Sequence, residues 1–323
     1  MRVAVIGGTG HIGTYLIPRL VGAGHELVVV SRSRRRPYQP HPAWNQVEWA
    51  VIDREEAEAE GTFGDRIRAL RTEVVIDLIC FRLESARHLV ESLRGQVRHF
   101  LHCGTIWVHG YSTVVPATED LPRRSFGKYG IRKAAIEDYL LGEARIHRFP
   151  VTILHPGHIV GPGWVPLNPQ GNFNPEVYTR LACGEELVLP NLGLETVHHV
   201  HADDVAQSFQ QAMTHWGAAV GEAFHAVSPA AMSLRGFAEI VAGWFGRTPR
   251  LRFLPWEQWK ETVSHTDRED TWDHIAHSPN ACIAKAQRRL EYQPRYTSAQ
   301  AVFESVQWLI QNGQVRTDST SAS

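Results

Sequence analysis

Two short spacings bring together groups able to do chemistry. Tyr129-Gly-Ile-Arg-Lys133 sets a phenol and an ammonium four residues apart. On a helix, positions i and i+4 share a face, so both side chains would reach one pocket. A phenol titrates near ~10 in water, and a neighbouring cation stabilises its phenolate and lowers that value. Tyr129 therefore reads as a general acid–base and Lys133 as the group that tunes it. Thr105 follows the apolar run at 100–102. Its hydroxyl is expected at the carboxyl end of a strand, holding a carbonyl or alcohol oxygen beside Tyr129.

The second spacing is Gly7-x-x-Gly10-x-x-Gly13. It follows a β-branched run at 3–6 and leads into Ile12, Leu16, Ile17 and Leu20 at helical spacing. A first glycine permits a tight turn, a second admits a pyrophosphate to the backbone, and a third lets helix and strand pack closely. The N–H groups around His11, Ile12 and Gly13 would then face phosphate. At the first strand–helix junction this reads as a dinucleotide-binding turn.

After the second strand come Ser31 and Arg32, then Arg34, Arg35 and Arg36, with no carboxylate before Glu48. An acidic residue there would bind the ribose 2′-hydroxyl of NAD, whereas guanidinium groups suit a 2′-phosphate. NADP is the expected cofactor, NAD the alternative, and Arg32 the expected contact. Asp53 is expected to accept from the adenine amino group, and Leu78 and Ile79 to lie along the cofactor. Lys133 would also reach the nicotinamide ribose, and a cationic nicotinamide would help lower the Tyr129 pKa.

These groups need a scaffold. Residues 27–30 read as a second buried strand that closes a βαβ unit. The alternation continues with strands at 47–52, 74–80, 99–102 and 151–155, and helices at 63–70, 86–93 and 129–141. It predicts an α/β fold, a Rossmann doubly wound parallel sheet with helices on both faces. Beyond Gly161 the chain is rich in Pro, Gly and Asn. Helices are then expected at 177–183, 203–213, 233–246, 281–290 and 298–310, and strands at 186–189 and 222–227. The expected organisation is a dinucleotide-binding domain of 1–165 and 196–228, a smaller C-terminal substrate-binding domain of 166–195 and 229–315, and a disordered tail at 316–323.

Composition removes several classes. A chain of 323 residues, 43% hydrophobic and 21% charged, has the balance of a globular protein with a sizeable core. A formal net charge of −1 argues against a nucleic-acid partner. No apolar run reaches the about 20 residues of a membrane span, and MRVAVIGGTGHIG lacks a signal-peptide pattern, so no membrane partner is expected. Cys80, Cys103, Cys183 and Cys282 are scattered, which suits reduced thiols in the cytoplasm. His198, His199 and His201 invite a metal, but nothing nearby completes a set of three or four converging ligands, and no metal is expected. Trp256, Trp259 and Trp272 read as core or pocket lining.

Six segments in order, VIGGTGHIG, HCGTIWVHG, TEDLPRRSFGKYGIRKAAIE, ILHPGHIVGPG, VHHVHADDVA and AKAQRRLEYQPRYT, resemble the motifs of an extended short-chain dehydrogenase/reductase, in the NAD(P)-dependent epimerase/dehydratase family. The resemblance covers nearly the whole chain. It implies that Thr105, Tyr129 and Lys133 form a catalytic triad and that Gly7, Gly10 and Gly13 form the phosphate turn. It also implies that Pro156, His158 and Ile159 lie near the nicotinamide, and that two copies pair through helices including 129–141. There are departures. Ile106 and Trp107 stand where the family's dehydratases carry Asp-Glu, which argues against 4,6-dehydration. His155 replaces an Arg, His158 an Asn and His109 a Tyr. Thr196 replaces an Arg common in nucleotide-sugar enzymes, which argues against a nucleotide-diphosphate substrate. Thr105, Trp107, His109, His158 and Asn172 are the expected contacts to an uncharged polyol, sugar or polyketide-like ligand.

The function expected is hydride transfer between nicotinamide C4 and a carbinol or carbonyl carbon of a sugar-like substrate. An epimerase with tightly held cofactor is the alternative. A non-catalytic NADP-sensing or RNA-binding member is the reading of another class, and the presence of Thr105, Tyr129 and Lys133 argues against it.

Overall fold

The computed structural model of the chain describes residues 1–34 and 37–317. Arg35 and Arg36 of the basic run, and 318–323 of the expected tail, lie outside the described residues.

The chain begins with β1 (Arg2–Ile6), α1 (His11–Gly22), β2 (Glu26–Ser31), β3 (Glu48–Val51), α2 (Arg54–Ala59), α3 (Phe63–Arg68), β4 (Val74–Asp77), α4 (Leu83–Leu93), β5 (His99–Cys103), α5 (Gly127–His147) and β6 (Val151–Pro156). There follow β7 (His158–Val160), α6 (Glu176–Ala182), β8 (Glu186–Pro190), β9 (Thr196–Val197), β10 (His199–His201), α7 (Ala202–Thr214), α8 (Trp216–Ala219) and β11 (Glu222–Ala226). The last elements are β12 (Met232–Ser233), α9 (Leu234–Trp244), β13 (Arg250–Leu254), α10 (Trp256–Trp259), α11 (His265–His277), α12 (Ala284–Leu290) and α13 (Ser298–Gln311).

Seven strands pair in the order β11-β6-β5-β4-β1-β2-β3, all parallel. The strand order reverses between β1 and β4, and the crevice outside the strand ends at such a point is where open α/β sheets bind ligands. β4, β5 and β6 are buried along their whole length, as a sheet with both faces covered requires. One core packs Val3, Leu16, Leu101 and Phe209 between the sheet, α1 and α7. The other packs Phe63, Leu89, Ile136 and Phe149 against α3, α4 and α5. Arg19 clamps Asp203 through two hydrogen bonds of 2.6 and 2.7 Å, tying α1 to α7. A third core gathers Tyr178, Phe237, Val302 and Leu309 from α6, α9 and α13.

Several local expectations are corrected. The strand expected at 74–80 stops at Asp77, whose carboxylate accepts from the Ile79 amide and pairs with Arg54. The helix expected from 281 begins at Ala284, because Ala281 bridges to Ala117 and the Cys282 amide donates to the Ala117 carbonyl. α5 extends beyond 129–141 at both ends. Helices α2 and α11 carry no clear apolar period and were not expected. The tail does not begin at 316: Val315 is buried, and the Arg316 amide donates to Thr179 Oγ1.

Candidate active site

The glycine turn is shaped by contacts that only glycine allows. Gly7 has φ +78°, and a Cβ there would lie 2.6 Å from Ile79 Cγ2. A Cβ on Gly13 would lie 1.9 Å from the Gly8 carbonyl oxygen. Gly10 is the N-cap of α1 and has no side chain to cap it, which leaves the helix start open to a phosphate. The residues therefore fit a dinucleotide's pyrophosphate. Ile12 and Leu78 are buried, while Ile79 is partly exposed over Gly7. The His11 ring is buried with neither nitrogen partnered. It packs on Trp164 and meets Tyr38 edge-on, with 4.4 Å between the His11 and Tyr38 centroids. The loops after β2 and β7 thus meet over the start of α1.

At the end of β2, Ser31 Oγ donates to the Ser33 carbonyl at 2.7 Å, and Arg32 and Arg34 are exposed. Asp53, expected at the adenine, also caps α2: its Oδ1 accepts from the Glu55 and Glu56 amides at 2.9 and 3.3 Å.

The reactive groups stand on β5 and α5. β5 runs directly into Gly104 and Thr105, and Thr105 caps the 3₁₀ turn Ile106–His109 by accepting from the Trp107 amide at 3.3 Å. Tyr129 lies in the first turn of α5, with its ring edge-on to Trp107 at 5.8 Å. Thr105, Trp107, Tyr129, His158 and Ile159 line one cavity of about 250 Å³, together with Trp164, Phe173 and His274. Tyr129 is 42% exposed, and the partial desolvation of its phenol shifts its pKa upward, a rise that the neighbouring Thr105 hydroxyl opposes.

Lys133 is 2% exposed. Its Nζ donates to the carbonyls of Cys80 at 2.9 Å and Cys103 at 2.8 Å, and sits 6.0 Å from the centre of the Tyr129 ring. This corrects the expected direct tuning of the phenol. The ammonium is spent first on joining the ends of β4 and β5, which leaves one of its three protons for a ligand.

Among the described residues, no Lys, Arg, Asp or Glu lines the cavity wall. Burial, with His274 and His199 nearby, holds His158 well below the usual imidazole range, and burial holds His274 down at about 4. Both rings are neutral at neutral pH.

Two expected substrate contacts lie elsewhere. His109 turns away from this cavity to meet His225, with 2.9 Å between the Nε2 atoms. Asn172 is fully buried and bonds Asn168 and Thr271. Pro156 is buried at the end of β6. Thr196 bonds Ser278 and the Pro279 carbonyl. The histidines considered for a metal are pinned separately: His198 to Ala281 and Ser228, His199 to the Leu167 carbonyl, His201 to the Asp203 amide. Trp164, Phe173 and His274 were missed. The first two sit in an aperiodic loop and the third on the unexpected α11, and no local spacing marks them.

A model of the NAD dependent epimerase/dehydratase family matches residues 74–225, the stretch from β4 to β11 that carries Thr105, Tyr129 and Lys133. Over that stretch, just under half of the chain, the sequence is similar to that family. Curated relatives are reductases and epimerases, which makes this chain an enzyme, and the family is NAD(P)-dependent. 2′-Dehydrokanamycin reductase of Streptomyces kanamyceticus is 29% identical over 138 residues, which is 43% of this chain and 37% of that one. UDP-glucose 4-epimerase of Mycolicibacterium smegmatis is 24% identical over 79% of this chain and 86% of its own. The solved UDP-glucose 4-epimerase of Thermotoga maritima shares the fold with a TM-score of 0.73 at 20% identity, covering 97% of this chain and 99% of that one. No helix among the described residues is long and apolar enough to cross a membrane.

Proposed function

We propose that the chain is an NAD(P)(H)-dependent oxidoreductase acting on a small, uncharged, sugar-like alcohol or ketone. The observation that carries this reading is the pairing of Thr105 and Tyr129 in a cavity walled by neutral aromatic and imidazole rings. The nicotinamide, when bound, supplies or takes the hydride. Gly7, Gly10 and Gly13 would hold the pyrophosphate, Lys133 a ribose hydroxyl through its remaining proton, and Arg32 a 2′-phosphate.

The Tyr129 hydroxyl moves the proton at the substrate oxygen. A phenol is protonated at neutral pH, so Tyr129 is the proton donor for reduction of a ketone. Thr105 adds a second donor to the same oxygen, where negative charge develops. The wall residues Trp107, Trp164 and Phe173 suit the apolar face of a sugar ring. A volume of about 250 Å³ lies below the ~300–1,000 Å³ of drug-sized sites and favours a single small ring. No Lys or Arg among the described residues lines the wall, which disfavours a diphosphate.

A second reading, an epimerase, is favoured by the alignment with an epimerase over 79% of the chain. The two separate by stoichiometry. Incubation with keto-sugars and either reduced cofactor should consume one cofactor per product in a reductase. An epimerase would isomerise its sugar with no net consumption and would keep its dinucleotide through purification. Cofactor-independent turnover of an unrelated kind would overturn both.

A further inference from the structure

Three histidines that the acid–base chemistry does not use converge behind the cavity. His109 ends the 3₁₀ turn that Thr105 caps, His155 lies in β6, and His225 lies in β11 directly opposite His155 in register. One nitrogen from each ring lies within 4.8 Å of the others. His155 and His225 are 0% exposed.

The outer nitrogens of His155 and His225 are already partnered. His155 Nε2 donates to Glu137 Oε2 at 2.6 Å, and Glu137 is held in turn by Arg123 Nε at 2.9 Å. His225 Nδ1 donates to the Cys282 carbonyl at 3.0 Å. His109 Nδ1 is buried beside the Leu121 carbonyl without a hydrogen-bond partner. Around metal-bound imidazoles, a carboxylate or carbonyl takes the proton of one nitrogen and so commits the other to the ion. The inner nitrogens, by contrast, are poorly satisfied. His155 Nδ1 is buried with no partner, and the contact of 2.9 Å between His109 and His225 serves only those two rings. An unpaired buried polar atom costs about 1–3 kcal/mol, and a cation would take the lone pairs of these nitrogens.

We propose that His109, His155 and His225 bind one divalent transition-metal ion, with zinc the best match. Three imidazoles and one open position form a recognised zinc set, and water would be the fourth ligand. Nitrogens about 2.0–2.1 Å from zinc stand about 3.4 Å from one another. The close pair would therefore open slightly and the third ring would move in. A second cavity, of about 280 Å³, is lined by His109, Tyr111, Ala117, Leu121 and Arg124 and gives the ion and its water a path from outside. The ion would brace the catalytic cavity from behind, tying β6 and β11 to the turn that carries Thr105. Glu137, one helical turn beyond Lys133 on α5, is a positioning residue for His155.

The test uses the full chain without a polyhistidine tag, stripped with a chelator and titrated with Co²⁺ and then Zn²⁺. The expected result is one equivalent per chain, with the visible absorption of four-coordinate Co²⁺ that Zn²⁺ displaces. His109→Ala, at the half-exposed ligand, should weaken zinc by more than tenfold while circular dichroism stays native. Glu137→Gln should weaken it by about 10–100-fold as a lost outer partner. His147→Ala, on an exposed histidine at the far end of α5, should bind as the parent does. Absence of stoichiometric binding in the folded parent overturns the proposal. So does H109A or E137Q binding like the parent, or H147A binding as weakly as they do.

Discussion

The two sides of the crevice are built in opposite ways. On the cofactor side, one stretch from Gly7 to Gly13 makes the turn, and the constraint is backbone shape: a positive φ at Gly7 and no room for a Cβ at Gly13. On the substrate side, Thr105, Tyr129, His158 and His274 reach one cavity from β5, α5, β7 and α11. Lys133 belongs to neither side alone, since it holds the backbone ends of β4 and β5 together. A site made of backbone is compact in sequence. A site made of converging side chains is assembled by the sheet.

Lesions on the two sides should therefore fail differently. The largest effect is expected from Tyr129→Phe, which should cut turnover by about 10²–10⁴-fold while changing cofactor affinity little. Turnover above a tenth of the parent's would remove Tyr129 from the chemistry. In the cofactor-free protein, the phenolate absorbance lost in Y129F should titrate above the ~10 of a free phenol; ionisation at or below that value would contradict the burial argument.

Next comes Glu137→Ala, which leaves the Arg123 and His155 partners of a buried carboxylate unpaired. We expect about 3 kcal/mol of lost stability in denaturant unfolding. Burial alone would raise this carboxyl, but His155 and Arg123 outweigh it and hold it at about 2, against an ordinary 4.5. Its contribution is complete above the ordinary value and drains as pH falls toward the folded one. Parent and E137A unfolding curves should therefore draw together on acidification; a constant gap would contradict the pairing.

Gly13→Ala should cost about 1–3 kcal/mol through the clash with the Gly8 carbonyl. It should raise the cofactor KM more than tenfold while kcat at saturation survives. Loss of kcat with unchanged KM would erase the distinction between the two sides. The smallest effect is expected from Arg32→Ala, a loss of about tenfold, or about 1.4 kcal/mol, in NADPH affinity with NADH unaffected. Equal losses for both cofactors would reduce Arg32 to a general surface charge.

Elements with a strong period were legible. The buried runs of β1, β2, β5 and β6 and the helix carrying Tyr129 and Lys133 needed only hydrophobic pattern and spacing. α11 was not legible, because only Thr271, His274, Ile275 and His277 of its 13 residues are buried and its outer face is polar. The cap that Asp53 makes on α2 was not foreseen, because a carboxylate after a strand can serve a cofactor or a helix start, and here its Oδ1 takes the amides of Glu55 and Glu56. His109 and Asn172 were placed at the substrate from their neighbours in the chain, yet each turns the other way.

Local residue order was enough to establish the doubly wound sheet, the glycine turn and the Tyr-Lys face of α5, because each depends on near neighbours and a fixed period. The partners of those groups emerged only on folding. Lys133 meets two main-chain carbonyls, Trp164 closes on His11, and His109, His155 and His225 meet behind the cavity. These contacts join segments far apart in the chain, and the parallel packing of β4, β5, β6 and β11 sets which side chains share a space.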